Sequence, residues 1–244
     1  DIASEFYLFL IYGTKEFLHE MVEYAHKYAL DNYGRQFTVS ANLCFNTGIR
    51  YYFLDEVDYV LAEQFEFETY LPFSHISIKA NRAFNNYPVL VLPEPNISGL
   101  PLHTTNMIKI ITADIYANGG TICYGEKLSE GIAHPISINT DVLAKYANFI
   151  LSNHSFFEKT TSVSQVALIY SMASSHAQFQ TIEGNVHMGW ESAFWGVGLL
   201  LTNSNIQFDC IFSPDNRFTT IPSFALSQLQ KYKVVVLPNT FELT

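Results

Sequence analysis

The feature that most constrains this chain is a series of short, nearly unbroken apolar runs separated by helical-period segments. Residues 57–62, 89–92, 165–170, 206–212 and 233–237 are rich in Val, Ile, Leu and aromatic residues. None shows the clean in–out alternation of a half-buried strand. Runs of that kind suit parallel sheets covered on both faces. Between them, Ile108, Ile111 and Ile115 mark one helix, which Asn118-Gly119-Gly120 terminates. Val142, Tyr146, Phe149 and Ile150 mark a second, starting near Thr140. Phe194, Val197 and Leu201 mark a third over residues 190–201, and residues 224–229 form a short fourth. Strands alternating with helices define an α/β protein.

The first 34 residues carry a further helix. Phe17, Leu18, Met21, Val22, Ala25 and Ala29 recur at helical spacing, Thr14 is placed to cap the start, and Asp31-Asn32-Tyr33-Gly34 stops it. Residues 37–43 then read as a strand ending at Asn42. The run at 57–62 closes on Glu63, and that at 89–92 is broken by Pro93-Glu94-Pro95-Asn96. Residues 121–124 form one more short strand. Residues 154–164 are polar, carry no period and read as a domain edge. The expected organisation is therefore two units, residues 1–160 and 161–244, the second an open doubly wound β-α-β-α-β sheet.

Composition narrows the function. The chain of 244 residues is 48% hydrophobic and only 15% charged, which excludes disorder and a coiled coil. Its formal net charge of −10 is the wrong sign for a nucleic-acid binder. The apolar run 7–12 is too short to span a membrane. Cys44, Cys123 and Cys210 are odd in number and far apart, so neither a disulfide framework nor a metal site is expected. His19 and His26 are seven apart on one helix, too far for an i, i+4 metal pair. No nucleophile elbow, dinucleotide fingerprint or P-loop is present. No metal or other cofactor is expected. Low charge and abundant Tyr, Asn and Ser lean towards an extracytoplasmic protein; Asn96 and Asn153 open sequons of a kind common by chance.

The acids cluster. Asp55, Glu56, Asp58, Glu63, Glu66 and Glu68 share one stretch, and no Lys or Arg lies between Tyr51 and Ile78. In a barrel of alternating strands and helices, catalytic groups sit at the C-terminal ends of strands. Asn42, Glu63 and Glu94 fall at such ends. Two carboxyl groups flanking a glycosidic bond are what glycoside hydrolysis requires. Phe65, Phe67, Tyr70 and Phe73 follow Glu63 and offer ring faces for sugar stacking or for core packing. His75 and His103, near strand ends, are placed to bond hydroxyl groups. Trp190 and Trp195 read as packing residues at a domain or subunit contact.

Residues 166–171, 206–211 and the run Tyr232-Lys233-Val234-Val235-Val236-Leu237-Pro238-Asn239 resemble the glutamine-amidotransferase-like trimerisation domain that follows the barrel in family-42 β-galactosidases. Residues 1–160 resemble the C-terminal portion of that family's (β/α)8 barrel. In this resemblance, residues 37–42 match the sixth strand, 57–63 the seventh and 89–94 the eighth, and Ala117-Asn118-Gly119-Gly120 matches the stretch after the final barrel helix. The fold implied is the C-terminal portion of a (β/α)8 barrel joined to an incomplete, doubly wound, flavodoxin-like α/β domain. The resemblance implies a retaining glycoside hydrolase with Glu63 as nucleophile. Asn42, Glu94 and His103 would bind substrate, and the acid/base Glu would lie upstream of Asp1. A carbohydrate substrate and a homo-oligomer, a trimer in that family, are the implied partners; nucleic acid and membrane are not. The 244 residues alone are expected to be inactive. Two alternatives stand beside this: a non-catalytic carbohydrate-binding or oligomerising member, and a glutamine amidotransferase whose Cys lies beyond Thr244.

Overall fold

The computed structural model describes residues 2–42, 48–64, 71–85, 88–93, 105–123, 140–158, 160–179, 190–219, 223–240 and 243. The chain folds as α/β, with two three-stranded parallel sheets. The first sheet contains β1 (Val60–Gln64), β2 (Val89–Pro93) and β3 (Thr121–Ile122), in that order. Helix α2 (Leu71–Asn85) joins β1 to β2, and α3 (Thr105–Ala117) joins β2 to β3. Sequential parallel strands joined by helices form an arc of the barrel type. The second sheet has β5 (Phe208–Ser213), β4 (Val166–Ser171) and β6 (Val234–Val236), with β4 central. Helices α6 (Met172–Phe179) and α7 (Trp190–Asn203) join β4 to β5, and α8 (Leu226–Leu229) precedes β6. Numbered within the sheet, this order is 2-1-3, the start of the flavodoxin-like doubly wound arrangement.

The remaining elements are α1 (Ile2–Tyr33), a 3-10 helix at Gly48–Glu56, α4 (Thr140–Ser152) and α5 (His154–Glu158). Helix α1 buries Ile11, Val22 and Ala29 and packs on the 3-10 helix. It ends where Gly34 takes φ +61° and its N–H donates to the Leu30 carbonyl, a left-handed cap that glycine adopts without strain. Helix α3 ends on Gly119 at φ +82°, with Gly120 N–H on the Ile115 carbonyl and Gly119 N–H on that of Tyr116. Helix α7 ends in the same way on Asn205.

One apolar core spans both sheets. Val60, Ala62, Val89 and Val91 of the first sheet and Leu168, Tyr170, Phe208 and Phe212 of the second belong to one cluster. Helix α2 lies between them and touches β1, β2, β5, α3 and α7. Its Phe84 meets Phe212 edge-on at 4.7 Å, and Tyr170 stacks on Phe212 at 5.2 Å. Gly198 lets α7 approach α2, because a Cβ there would stand 2.9 Å from Ile76 Cδ1.

Several expectations change. Helix α1 starts near Ile2, so Thr14 lies inside it and caps nothing. Among the described residues, the strand expected at 37–43 shows one parallel bridge, between Asn42 and Leu61, and residue 43 lies outside them. The strand expected at 57–62 begins at Val60, because the preceding residues form the 3-10 helix and a bend. Residues 154–158, expected within a linker, form α5. Strand β6 is not covered on both faces among the described residues: Val234 and Val235 are exposed. The stretch 117–120 is followed directly by β3, which pairs with β2. Cys44 and the aromatic positions 65, 67 and 70 lie outside the described residues.

Candidate functional site

The C-terminal ends of β1 and β2 bring the candidate residues together at backbone level. Glu63 is paired with Leu92 and Gln64 with Pro93, and Asn42 bridges Leu61 on the other side of β1. Neighbouring strands are about 4.8 Å apart. Asn42, Glu63 and the end of β2 therefore lie on three adjacent segments at one edge of the sheet. Glu63 is placed in β1 by its backbone alone. Glu94, which follows β2, and His103 lie outside the described residues.

The segment before β1 is anchored by Asp58. Its Oδ2 accepts from Val39 N–H at 2.7 Å and lies 2.7 Å from His26 Nε2, while Asp58 N–H donates to the Val39 carbonyl. Ser40 Oγ donates to the Tyr59 carbonyl at 2.7 Å. These bonds hold residues 39–42 beside β1 without a regular ladder. Asp55 and Glu56 are also structural. Lys15 Nζ lies 2.6 Å from Asp55 Oδ1 and 3.3 Å from Glu56 Oε1, and His19 Nδ1 is 2.8 Å from Glu56 Oε2. Half of the acidic stretch thus pairs with one face of α1. The sequence signal was available in Lys15, His19 and His26, spaced four and seven apart on a helix, opposite a run of acids.

His75 is not at a strand end. It lies in α2, with Nε2 2.6 Å from Thr202 Oγ1 of α7 and Nδ1 3.8 Å from Asp114 Oδ1 of α3. Burial lowers its pKa; the Asp114 carboxylate opposes that shift and the Lys79 charge adds to it. Trp195 packs edge-on against Phe194 at 5.6 Å, as an intramolecular core contact.

The C-terminal ends of β4 and β5 carry a cluster that the sequence did not reveal. Ser171, Ser174, His176, Ser213 and Asp215 are all buried there. Asp215 receives Arg217 Nε and Nη2 at 2.8 and 2.6 Å. Burial lowers the His176 pKa, Arg217 reinforces this and Asp215 opposes it. Doubly wound sheets bind ligands at this edge. Here Tyr51 packs on Tyr170 at 4.7 Å, and Tyr52 meets Phe218 at 4.7 Å. The 3-10 helix therefore lies over that edge. Cys210, in β5, is buried, and burial pushes its thiol up to about 12.

Among the described residues no cluster of three or more His, Cys, Asp or Glu is placed to hold a metal ion, and no helix is long and apolar enough to cross a membrane. The fold is α/β with a barrel-type arc and a flavodoxin-order sheet. No protein-family model and no curated protein matches the chain. Among solved structures it is similar to a β-galactosidase from Rahnella sp. R3, at 15% identity and a TM-score of 0.55. The match covers 79% of this chain and 31% of that one, so the chain spans about a third of the length of the enzyme it resembles. The likeness establishes a fold similar to part of a β-galactosidase.

Proposed function

We propose that these residues belong to a retaining glycoside hydrolase of the family-42 type. Residues 1–160 contribute the C-terminal part of its barrel and residues 161–244 an amidotransferase-like domain that serves oligomerisation. The observation that carries this reading is the combination of a sequential parallel arc with a 2-1-3 sheet, similar to part of a β-galactosidase. Glu63 stands at the C-terminal end of β1, where barrel enzymes place reacting groups. Its carboxylate would attack the anomeric carbon while an acid protonates the departing oxygen. Water then cleaves the glycosyl ester, the second carboxyl group acting as base. That group must lie about 5–5.5 Å away. A barrel closes with eight strands, so it comes from a strand outside this arc. Asn42, on the adjacent segment, with Glu94 and His103, would bond the sugar hydroxyls.

A second assignment of the nucleophile has its own support. Strand β3 pairs with β2, and α4 and α5 then lead to the second sheet. If β3 is the last barrel strand, β2 is the penultimate one. Glu94, immediately after β2, then takes the position that the resemblance gave to Glu63.

Glu63→Gln and Glu94→Gln in the full-length protein separate the two. The nucleophile's variant loses hydrolysis of an activated aryl β-galactoside, and azide rescues the corresponding Gly variant. Full activity in both Gln variants would refute both assignments, and no hydrolysis by the parent protein would leave a non-catalytic barrel.

A further inference from the structure

Helix α1 carries two apolar stripes, and the described fold covers one of them. Ile11, Val22 and Ala29 are buried. Phe17, Met21, Tyr24 and Tyr28 recur at spacings of four, three and four, yet they are 63%, 51%, 66% and 47% exposed. At 3.6 residues per turn these four fall within an arc of about 60°, centred about 120° round the helix from the buried stripe. Tyr24 and Tyr28 stack on each other at 5.9 Å, so half of the stripe is already arranged as one surface. Glu16, Glu20, Glu23 and Lys27 are exposed on the third face, with Glu20 and Lys27 along the edge of the stripe.

Alternating spacings of four and three are the repeat by which helices pair in coiled coils. The charges on the edge select the partner and its direction. Glu20 and Lys27 are opposite in sign and seven residues apart. Two copies of α1 laid antiparallel, with a two-fold axis beside residues 22–23, bring Phe17 against Tyr28 of the second copy and Met21 against its Tyr24. Glu20 then faces Lys27 of the second copy, and symmetry repeats every contact. A parallel pair sets Glu20 against Ala25 and leaves the charges unmatched. Lys27 pairs with Asp31 one turn away in the single copy, but both side chains are more than half exposed, and such a pair is readily exchanged. With the stems of Glu20 and Lys27, the stripe offers roughly 500–600 Å² per copy. A pair would bury about 1,000–1,200 Å², the low end for a specific interface. The net charge of −10 on each copy opposes the pairing, so the association is micromolar rather than tight.

We propose that the exposed stripe of α1 seats a second copy of this chain, antiparallel, through Phe17, Met21, Tyr24 and Tyr28, with Glu20 and Lys27 paired across its edge. The contact goes beyond the glycosidase reading and does not rest on it. It also lies on α1, not on the second sheet to which that reading gives oligomerisation.

Sedimentation equilibrium of the 244-residue chain from about 1 to 300 µM reads the association. A monomer–dimer equilibrium is expected in that range. Tyr24→Glu places a carboxylate on each side of the axis and should weaken pairing at least about tenfold; the position is exposed, so the circular dichroism spectrum should match the parent's. Leu30→Glu is the control, because Leu30 is 58% exposed on the same helix but outside the stripe, and this variant should associate like the parent. Glu20→Lys should weaken pairing about threefold or more, and Glu20→Lys/Lys27→Glu should recover it. Carbodiimide coupling should join Glu20 of one copy to Lys27 of another in the covalent dimer, as read by mass spectrometry. A chain that stays monomeric throughout, equal loss in Leu30→Glu and Tyr24→Glu, or a double variant no better than Glu20→Lys would each overturn the proposal.

Discussion

Lys15 sits at a buried junction of three segments, so its removal should cost the fold heavily. Its ammonium reaches both Asp55 oxygens at 2.6 Å and the Phe218 carbonyl at 2.7 Å. Thr219 Oγ1 donates to the same Asp55 carboxylate at 2.8 Å. The side chains of Lys15 and Asp55 are 16% and 6% exposed. One cation thus ties α1, the 3-10 helix and the segment after β5 together. Lys15→Met keeps the aliphatic stem but removes the ammonium that Asp55 and Glu56 share. Removing one partner of a buried pair costs about 3–5 kcal/mol. In a chain of this size each kcal/mol lowers Tm by about 2–4 °C, so a fall of about 6–20 °C is expected. Thermal melting by circular dichroism reads it. In Lys15→Met/Asp55→Asn the stranded charge is gone, and about half or more of the lost stability should return. A Lys15→Met protein within about 1 kcal/mol of the parent would refute the claim that this pair carries the junction.

Two further outcomes follow from the same contacts. Gly198→Ala places a methyl 2.9 Å from Ile76 Cδ1 and 3.2 Å from its Cγ atoms, inside a fully buried contact; it should cost about 1–3 kcal/mol in urea unfolding, and no change would mean that α7 does not press on α2 there. His75 and His176 both have folded pKa values below the ordinary 6.5. The unfolded chain therefore binds their protons first, so their contribution is present above pH 6.5 and is lost as pH falls through the folded values. Stability should decline as pH falls below about 6.5, and the decline should be smaller in His176→Gln; an unchanged slope would show that His176 does not supply it.

The strands of the second sheet were readable because each is a local run of aliphatic residues with punctuation at both ends. Two caps were equally local: Gly34 and Asn118-Gly119 sit where helices end. Helix α2 was not readable. Ile76, Ser77, Ile78, Ala80, Asn81 and Phe84 are all buried, because the helix is covered by the first sheet on one side and by β5 and α7 on the other. A helix buried on two sides shows no single apolar stripe, so its period vanishes from the sequence. The same blindness hid the 3-10 helix, whose Tyr51, Tyr52 and Leu54 look like an aperiodic aromatic run yet are buried in the core. It also misplaced His75, whose neighbours Thr202 and Asp114 come from two other helices.

The amino-acid sequence by itself determined the class: apolar strands without alternation demand parallel sheets covered by helices, and the order of elements specifies a doubly wound second sheet, while the barrel-like arc came from a family resemblance. It also placed Glu63 near the end of such a strand, whereas Asn42, expected to end another, makes an isolated bridge to Leu61. Tertiary structure alone decided what the charges do. Asp55, Glu56 and Asp58 look the same in sequence as Glu63, but α1 folds back to supply Lys15, His19 and His26 to the first three. A strand's direction and a helix's cap depend on neighbours a few residues away, whereas the partner of a charge depends on which distant element packs against it.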